Sequence, residues 1–303
     1  MKSNKLPNKA KELMERIHNL TDENEFILYG GVPIDILLNK DIKIHDLDIA
    51  IKDFNKYKIK RFGENIKRKG FKIIEPHRKY YIYKKIEVIL LYAKNKELFL
   101  DVVFLKEPKL IGQFNIETLY FRYPQLDYID NFNALDGIKK KKIKLIRSLK
   151  EENPHLLLGR LLRLCSKYNI SLKDKNTEKI LFGLKNQLKK WKIKDNLNNN
   201  SYLSCISSLF KSIVQSHNKK DFIEDMINKS ILKIIFPEIN NIDLDKKNII
   251  NEISKIKTKL EVIILFDKCI KSKSNKQSFR NKIKELKIRK WDKEDFKCSK
   301  YFK

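Results

Sequence analysis

Two aspartates separated by one residue, Asp46 and Asp48, lie in the run His45 to Ile51 (HDLDIAI), and a third, Asp101, sits within Phe99 to Phe104 (FLDVVF). In an extended strand alternate side chains face the same way, so Asp46 and Asp48 project together while Leu47 and Ile49 turn into a core. Two carboxylates on one sheet face repel each other unless a divalent cation sits between them. Mg²⁺ is typically held by one or two carboxylates plus substrate phosphates. Asp101 interrupts an otherwise apolar strand, where an unpaired charge is costly. If that strand neighbours the Asp46 strand, the three acids converge and meet the minimum for a two-metal phosphoryl transfer. In such a reaction one ion activates an attacking hydroxyl and the other neutralises the leaving pyrophosphate.

The elements that must position these acids follow from pattern. Glu25 to Tyr29 reads as a short apolar strand that ends in Gly30-Gly31, the one adjacent pair among the chain's eight glycines. Glycine permits a tight turn and a close approach of backbone N–H groups to phosphate oxygens at the start of the next helix, read here over Ile34 to Leu38. His45 to Ile51 is the acidic strand, with His45 a surface residue at its entry. After a helical stretch over Asn55 to Lys69, strands are expected over Lys79 to Lys84, Val88 to Ala93 and Leu98 to Leu105, with a hairpin turn at Lys94 to Glu97. Few helices interrupt these strands. A small mixed sheet is expected, and a doubly wound parallel one is not. The first 24 residues read as one amphipathic helix through Leu13, Ile17 and Leu20.

From about Ser148 the apolar period changes from two to three and four. His155 to Lys167 places Leu156, Leu157, Leu161 and Leu164 on one broad face, and Asn176 to Trp191 and Ser201 to Val214 repeat the pattern. Asn196 to Asn200 reads as a turn or loop, and Pro237 closes the run ending at Ile235. Helices over Lys246 to Lys271 and Gln277 to Lys290 precede a Lys-rich tail containing Trp291. The expected organisation is a head over 1–147 that includes the N-terminal helix, a helical neck over 148–239, and a basic helical C-terminal region over 240–303.

Composition narrows the partners. The chain has 303 residues with 67 Lys+Arg against 38 Asp+Glu, a formal charge of +29, and 42% hydrophobic residues. That is enough apolar material for two or three packed domains. The excess of positive charge favours a polyanion such as nucleic acid, although abundant Lys, Ile and Asn are also what an AT-rich genome produces. The run Lys139 to Lys142 could touch RNA or form a solvated face. Cys165, Cys205, Cys269 and Cys298 are widely spaced, which supports neither a zinc knuckle nor a dense disulfide framework. No aliphatic stretch approaches a membrane span. A soluble, cytoplasmic protein without a membrane partner is expected.

Taken in order, the strand, Gly30-Gly31, the helix, the Asp-x-Asp strand and the later acidic strand resemble the nucleotidyltransferase family that contains bacterial poly(A) polymerases and class II tRNA CCA-adding enzymes. Gly30, Gly31, Asp35, Leu37, Leu38, Asp46 and Asp48 fall at matching places of that family's GG-x-V-R-D-x-L-L-G stretch and Asp-x-Asp. Asp101 looks like the third carboxylate. FNIETLYF (Phe114 to Phe121) is similar to FTINALYY, and DNFNALDGIKKKKIKLI (Asp130 to Ile146) to the stretch that follows it. Arg160 and Arg163 keep the spacing of the L-R-x-x-R helix, and IIFPEI (Ile234 to Ile239) is similar to a LFPEL-type segment. The resemblance covers about Phe26 to Ile239. Three departures stand out: Ile34 stands where the family has the arginine after GG-x-V, Ile111-Gly112-Gln113 occupies the place of the family's nucleotide-binding R-R-D, and the neck pair of an acid and an arginine that reads C and A has no match.

The resemblance implies an α+β fold, a nucleotidyltransferase sheet followed by an all-helical neck and body. It implies a template-independent RNA nucleotidyltransferase that uses two Mg²⁺ ions held by Asp46, Asp48 and Asp101. Gly30, Gly31, Asp35, Arg160 and Arg163 would bind the nucleotide. The first expectation is poly(A)-like addition of AMP from ATP to RNA 3′ ends, of mRNA or tRNA. The alternatives are CCA addition to tRNA and a catalytically weakened RNA-binding protein of the same fold.

Overall fold

The computed structural model describes residues 3–40, 44–52, 55–82, 86–105, 112–149, 153–190, 196–236, 239 and 244–286. Trp191, Trp291, Pro237 and the Lys-rich tail lie outside them. The chain separates into two compact units, residues 1–140 with 144–147, and residues 141–143 with 148–303. The fold is α+β, with strands gathered in the first unit and helices dominating the second.

The first unit is an eight-stranded mixed sheet in the order β1-β8-β7-β2-β3-β6-β5-β4. Its strands are β1 (Ser3–Lys5), β2 (Phe26–Tyr29), β3 (Asp46–Lys52), β4 (Lys72–Ile82), β5 (Ile86–Lys94), β6 (Phe99–Leu105), β7 (Tyr120–Tyr123) and β8 (Asp127–Ile129). The sheet is larger than expected. Strand β4 starts seven residues earlier than Lys79, and β1, β7 and β8 are too short for alternation to reveal; pairing with a neighbour makes them strands. Only β3 and β6 run parallel; every other neighbouring pair is antiparallel.

Alternation along β3 decides what the sheet presents. Leu47, Ile49 and Ile51 are almost fully buried on one face, where Phe104 of β6 meets Phe62 of helix α3 (Lys56–Arg68) edge to face. Asp46, Asp48 and Ala50 therefore occupy the other face. Helix α1 (Asn8–Thr21) buries Leu13, Met14 and Ile17. The N-terminal segment is thus not one helix: Pro7 stands at the N-cap of α1, and Ser3–Lys5 joins the sheet as β1. Proline fits a helix start because it has no N–H to leave unpaired.

Helix α4 (Ala134–Lys139) follows β8, and in the second unit α5 (Pro154–Tyr168) starts from Asn153, whose side chain accepts from His155 N–H at 2.9 Å. Its buried face runs through Leu157, Leu158, Leu161, Leu162 and Cys165, and each leucine contributes about 2 kcal/mol relative to an exposed one. Leu156 belongs to the exposed side instead. Helix α6 spans Lys175–Lys190, and α7 spans Asn196–Gln215, so the asparagine run read as a loop is the first turn of a helix. Asparagine is a poor helix former in mid-helix but is tolerated at a beginning, and the apolar face that follows carries the segment along. Helices α8 (Lys219–Asn228) and α9 (Ile231–Ile235) follow.

The stretch expected as one helix over Lys246 to Lys271 is divided. Helix α10 (Lys246–Glu252) passes through a 3₁₀ turn at Ile253–Lys255, and α11 (Lys259–Cys269) begins afresh. The break is made by a capping box, Thr258 receiving Glu261 N–H while the Glu261 carboxylate receives Thr258 N–H. Helix α12 (Lys273–Glu285) adds Phe279 to a cluster with Phe210, Phe236 and Phe266. Cys165, Cys205 and Cys269 are free and buried, and burial pushes their thiols up, Cys205 to about 12. Among the described residues no helix is long and apolar enough to cross a membrane.

Candidate functional site

Strand register brings the predicted acids together. Asp48 of β3 pairs with Asp101 of β6 in the parallel ladder, and Asp46 lies two residues earlier on the same face. On the other side of β3, Asp48 pairs with Tyr29 of β2, and on the far side of β6, Asp101 pairs with Tyr92 of β5. A single cross-strand row thus reads Tyr29, Asp48, Asp101, Tyr92. The two tyrosines escape sequence reasoning because only the register across four strands aligns them with the acids. Tyr92 also meets Phe99, ring centroids 6.0 Å apart. The next row inward is apolar, with Ala50, Val103 and Leu105 forming a small core against which Ile27, Tyr29 and Leu90 pack.

Gly30 abuts this row. It has φ +80, and a Cβ built there would lie 2.1 Å from Asp48 Oδ2, so both backbone and space demand glycine. Gly31 is the first residue of α2 (Gly31–Leu37), which starts directly beside the Asp48 carboxylate. Asp35, on α2, is buried with its carboxylate 3.6 Å from Lys40 Nζ.

Electrostatics separate Asp101 from an ordinary carboxylate. Burial, and then the charge of Asp46, push its carboxyl up to about 7. Its Oδ1 is buried without a hydrogen-bond partner. An orphaned carboxylate oxygen facing a second acid is a donor set suited to a hard divalent cation. Among the described residues no three His, Cys, Asp or Glu side chains close around one point.

Arg160 and Arg163 sit three residues apart, exposed on α5 in the second unit. His45 is exposed at the entry of β3, where its carbonyl accepts Phe99 N–H at 2.8 Å. Of the segment standing in place of R-R-D, Ile111 lies outside the described residues and Gln113 is committed to local structure. Gln113 is fully buried, and the Glu117 carboxylate accepts the N–H groups of Gln113 and Phe114 at 3.1 and 3.2 Å.

No protein-family model matches the chain, and no curated protein matches it significantly. Solved structures do. A CCA-adding enzyme of Thermotoga maritima complexed with tRNA matches 92% of this chain and 67% of its own at TM-score 0.59 and 16% identity. A CCA-adding enzyme in complex with CTP matches 93% of this chain and 70% of its own at TM-score 0.61 and 16% identity. A structure described as a tRNA-processing enzyme matches 95% and 83% at TM-score 0.58 and 17% identity. This chain has the fold of the CCA-adding enzymes. Similarity over more than nine tenths of the chain means that both units, and not the sheet alone, have counterparts in these structures. None of the three is a poly(A) polymerase, the product placed first by sequence.

Proposed function

We propose that the chain is a template-independent RNA nucleotidyltransferase of the CCA-adding kind, acting on the 3′ end of tRNA with CTP and ATP. One observation carries the reading: Asp48 and Asp101 side by side, one oxygen orphaned, against a glycine that admits no side chain, on a sheet with the fold of CCA-adding enzymes. The neighbours' descriptions, with tRNA in one case and CTP in another, support this substrate pair.

Asp46, Asp48 and Asp101 would hold two Mg²⁺ ions. Bound Mg²⁺ supplies charge neutralisation at the transferring phosphate and makes a nearby hydroxyl easier to deprotonate. The chain's own residues do the rest. Asp101, with a carboxyl near neutrality, takes the proton of the RNA 3′-hydroxyl at Oδ1. The 3′-oxygen then bonds to the α-phosphorus of the nucleotide as the bond to pyrophosphate breaks. Gly30 and Gly31 let the triphosphate approach the backbone at the start of α2, and Tyr29 and Tyr92 bound the reacting row on either side.

A second reading, unrestrained AMP tailing, is favoured by the fate of the R-R-D position, where Gln113 is buried and no arginine stands. Loss of a nucleotide-reading group leaves transfer chemistry intact while loosening the choice of base. The deciding experiment supplies each NTP separately to tRNA lacking its terminal nucleotides. A CCA-adding enzyme stops after a defined addition, whereas a tailing enzyme continues with ATP. Asp46→Asn and Asp48→Asn should abolish incorporation while leaving RNA binding intact. Incorporation that persists in the double variant, or none from any NTP by the unaltered protein, refutes the enzymatic reading, the latter in favour of an RNA-binding protein of the same fold.

A further inference from the structure

Helix α6 carries its exposed side chains in an order that packing does not require. At 3.6 residues per turn, Lys175, Lys179, Phe182, Asn186 and Lys189 fall within about 80° of one another along one side. Thr177, Ile180, Leu181 and Leu184 fill the buried side. Phe182 stands in the middle of the outer stripe with 68% of its surface in water. A phenylalanine there adds nothing to the core. The three lysines are exposed, and among the described residues no acid pairs with them.

The neighbouring charges do not balance the stripe. Glu178, on its edge, is engaged by Lys229. Lys185 donates to the Lys229 carbonyl just beyond α8, which ties α6 to that helix end. Its ammonium is held below the usual lysine range by burial and by the positive charges of Lys229 and Lys189. Glu178 answers Lys229, while among the described residues no acid pairs with the three lysines that flank the flat apolar ring.

We propose that this face of α6 binds single-stranded RNA, with Phe182 stacking on an unpaired base and Lys175, Lys179 and Lys189 set along the backbone phosphates to either side. The inference rests on the reading of the chain as an RNA nucleotidyltransferase and adds a contact surface to it. Lysines interleaved with an exposed aromatic are the pattern by which open strands are held without sequence readout, since every base has a π-face. From Lys175 to Lys189 the stripe spans about 21 Å, room for several nucleotides. A lone apolar side chain amid lysines is too little for a membrane or for the dry centre of a protein interface.

The test is fluorescence anisotropy with a short labelled single-stranded RNA and, separately, a fully paired hairpin. Phe182→Ala weakens single-strand binding about tenfold, Phe182→Trp retains it, and hairpin binding is unchanged by either. The combined Lys175→Gln, Lys179→Gln and Lys189→Gln variant lowers the slope of log affinity against log salt by about 2. Because all four side chains are exposed, the variants keep the melting temperature of the parent. Unaltered binding in both variants overturns the inference, as does an equal loss for hairpin and single strand. A change in self-association with RNA affinity intact overturns it in favour of an interface between copies. The enzymatic reading is separable: transfer that continues while Phe182→Ala binds normally defeats only this inference, and α6-dependent binding without transfer from any NTP defeats only that reading.

Discussion

Asp101 in the sheet and Asp267 in the helical unit are both largely buried carboxylates with opposite fates. Asp267 receives a two-pronged fork from Arg280, Nε at 2.7 Å and Nη2 at 2.8 Å, so each oxygen has a donor. Asp101 faces another acid, keeps one oxygen without a partner, and holds its proton up to about neutral pH. Where a carboxylate serves the fold, the chain supplies its counter-charge. Where no counter-charge is supplied among the described residues, burial leaves the carboxylate destabilised, the pattern expected of the catalytic role proposed for Asp101.

Four substitutions test this contrast, from the largest effect to the smallest. Gly30→Ala forces a side chain against Asp48 at a left-handed φ, and nucleotide incorporation should fall to background while RNA binding persists. Activity close to that of the parent would mean that Gly30 is an ordinary turn. Asp101→Asn should abolish incorporation and yet stabilise the fold by on the order of 3 kcal/mol above neutral pH, read from urea unfolding. Its carboxyl is raised from 3.8 to about 7, so this group's contribution to stability is full below the lower value and is lost as pH rises through that interval. The advantage of the variant should therefore vanish near the lower value. Added Mg²⁺ should raise the melting temperature of the parent but not of the variant.

Asp267→Ala should act in reverse, costing about 2 kcal/mol without a specific catalytic defect. The cost is below that of a fully buried pair because Arg280 keeps 38% of its side chain in water. The smallest effect concerns His155, buried in contact with the Tyr202 ring, whose imidazole burial pulls down from 6.5 to about 4. Its neutral form stabilises the fold above the higher value, and that contribution is lost as pH falls toward the lower. His155→Phe should recover about 1–2 kcal/mol of the stability lost near pH 5, visible as a flatter dependence of melting temperature on pH.

Much of the site was legible because it rests on local rules. Alternation put Asp46 and Asp48 on one face of β3, an apolar strand made Asp101 conspicuous, and adjacent glycines after β2 marked a close approach. The α+β architecture followed from the change of apolar period near Ser148. What escaped was short or was borrowed from neighbours. Strands β1, β7 and β8 have three or four residues each and exist through pairing. The asparagine turn of α7 went against propensity. The capping box Thr258 to Glu261 was present in the sequence, but the continuous apolar pattern around it concealed the break between α10 and α11.

The sequence by itself determined which residues can do chemistry and which face of each element they occupy, because side-chain direction repeats along helices and strands with fixed periods. Only the tertiary structure decided which faces meet. The parallel ladder that sets Asp48 against Asp101, the tyrosines that close their row, and the lack among the described residues of an arginine beside Asp101 when Asp267 has one all depend on contacts between residues far apart in the chain. Local periodicity carries no information about such partners.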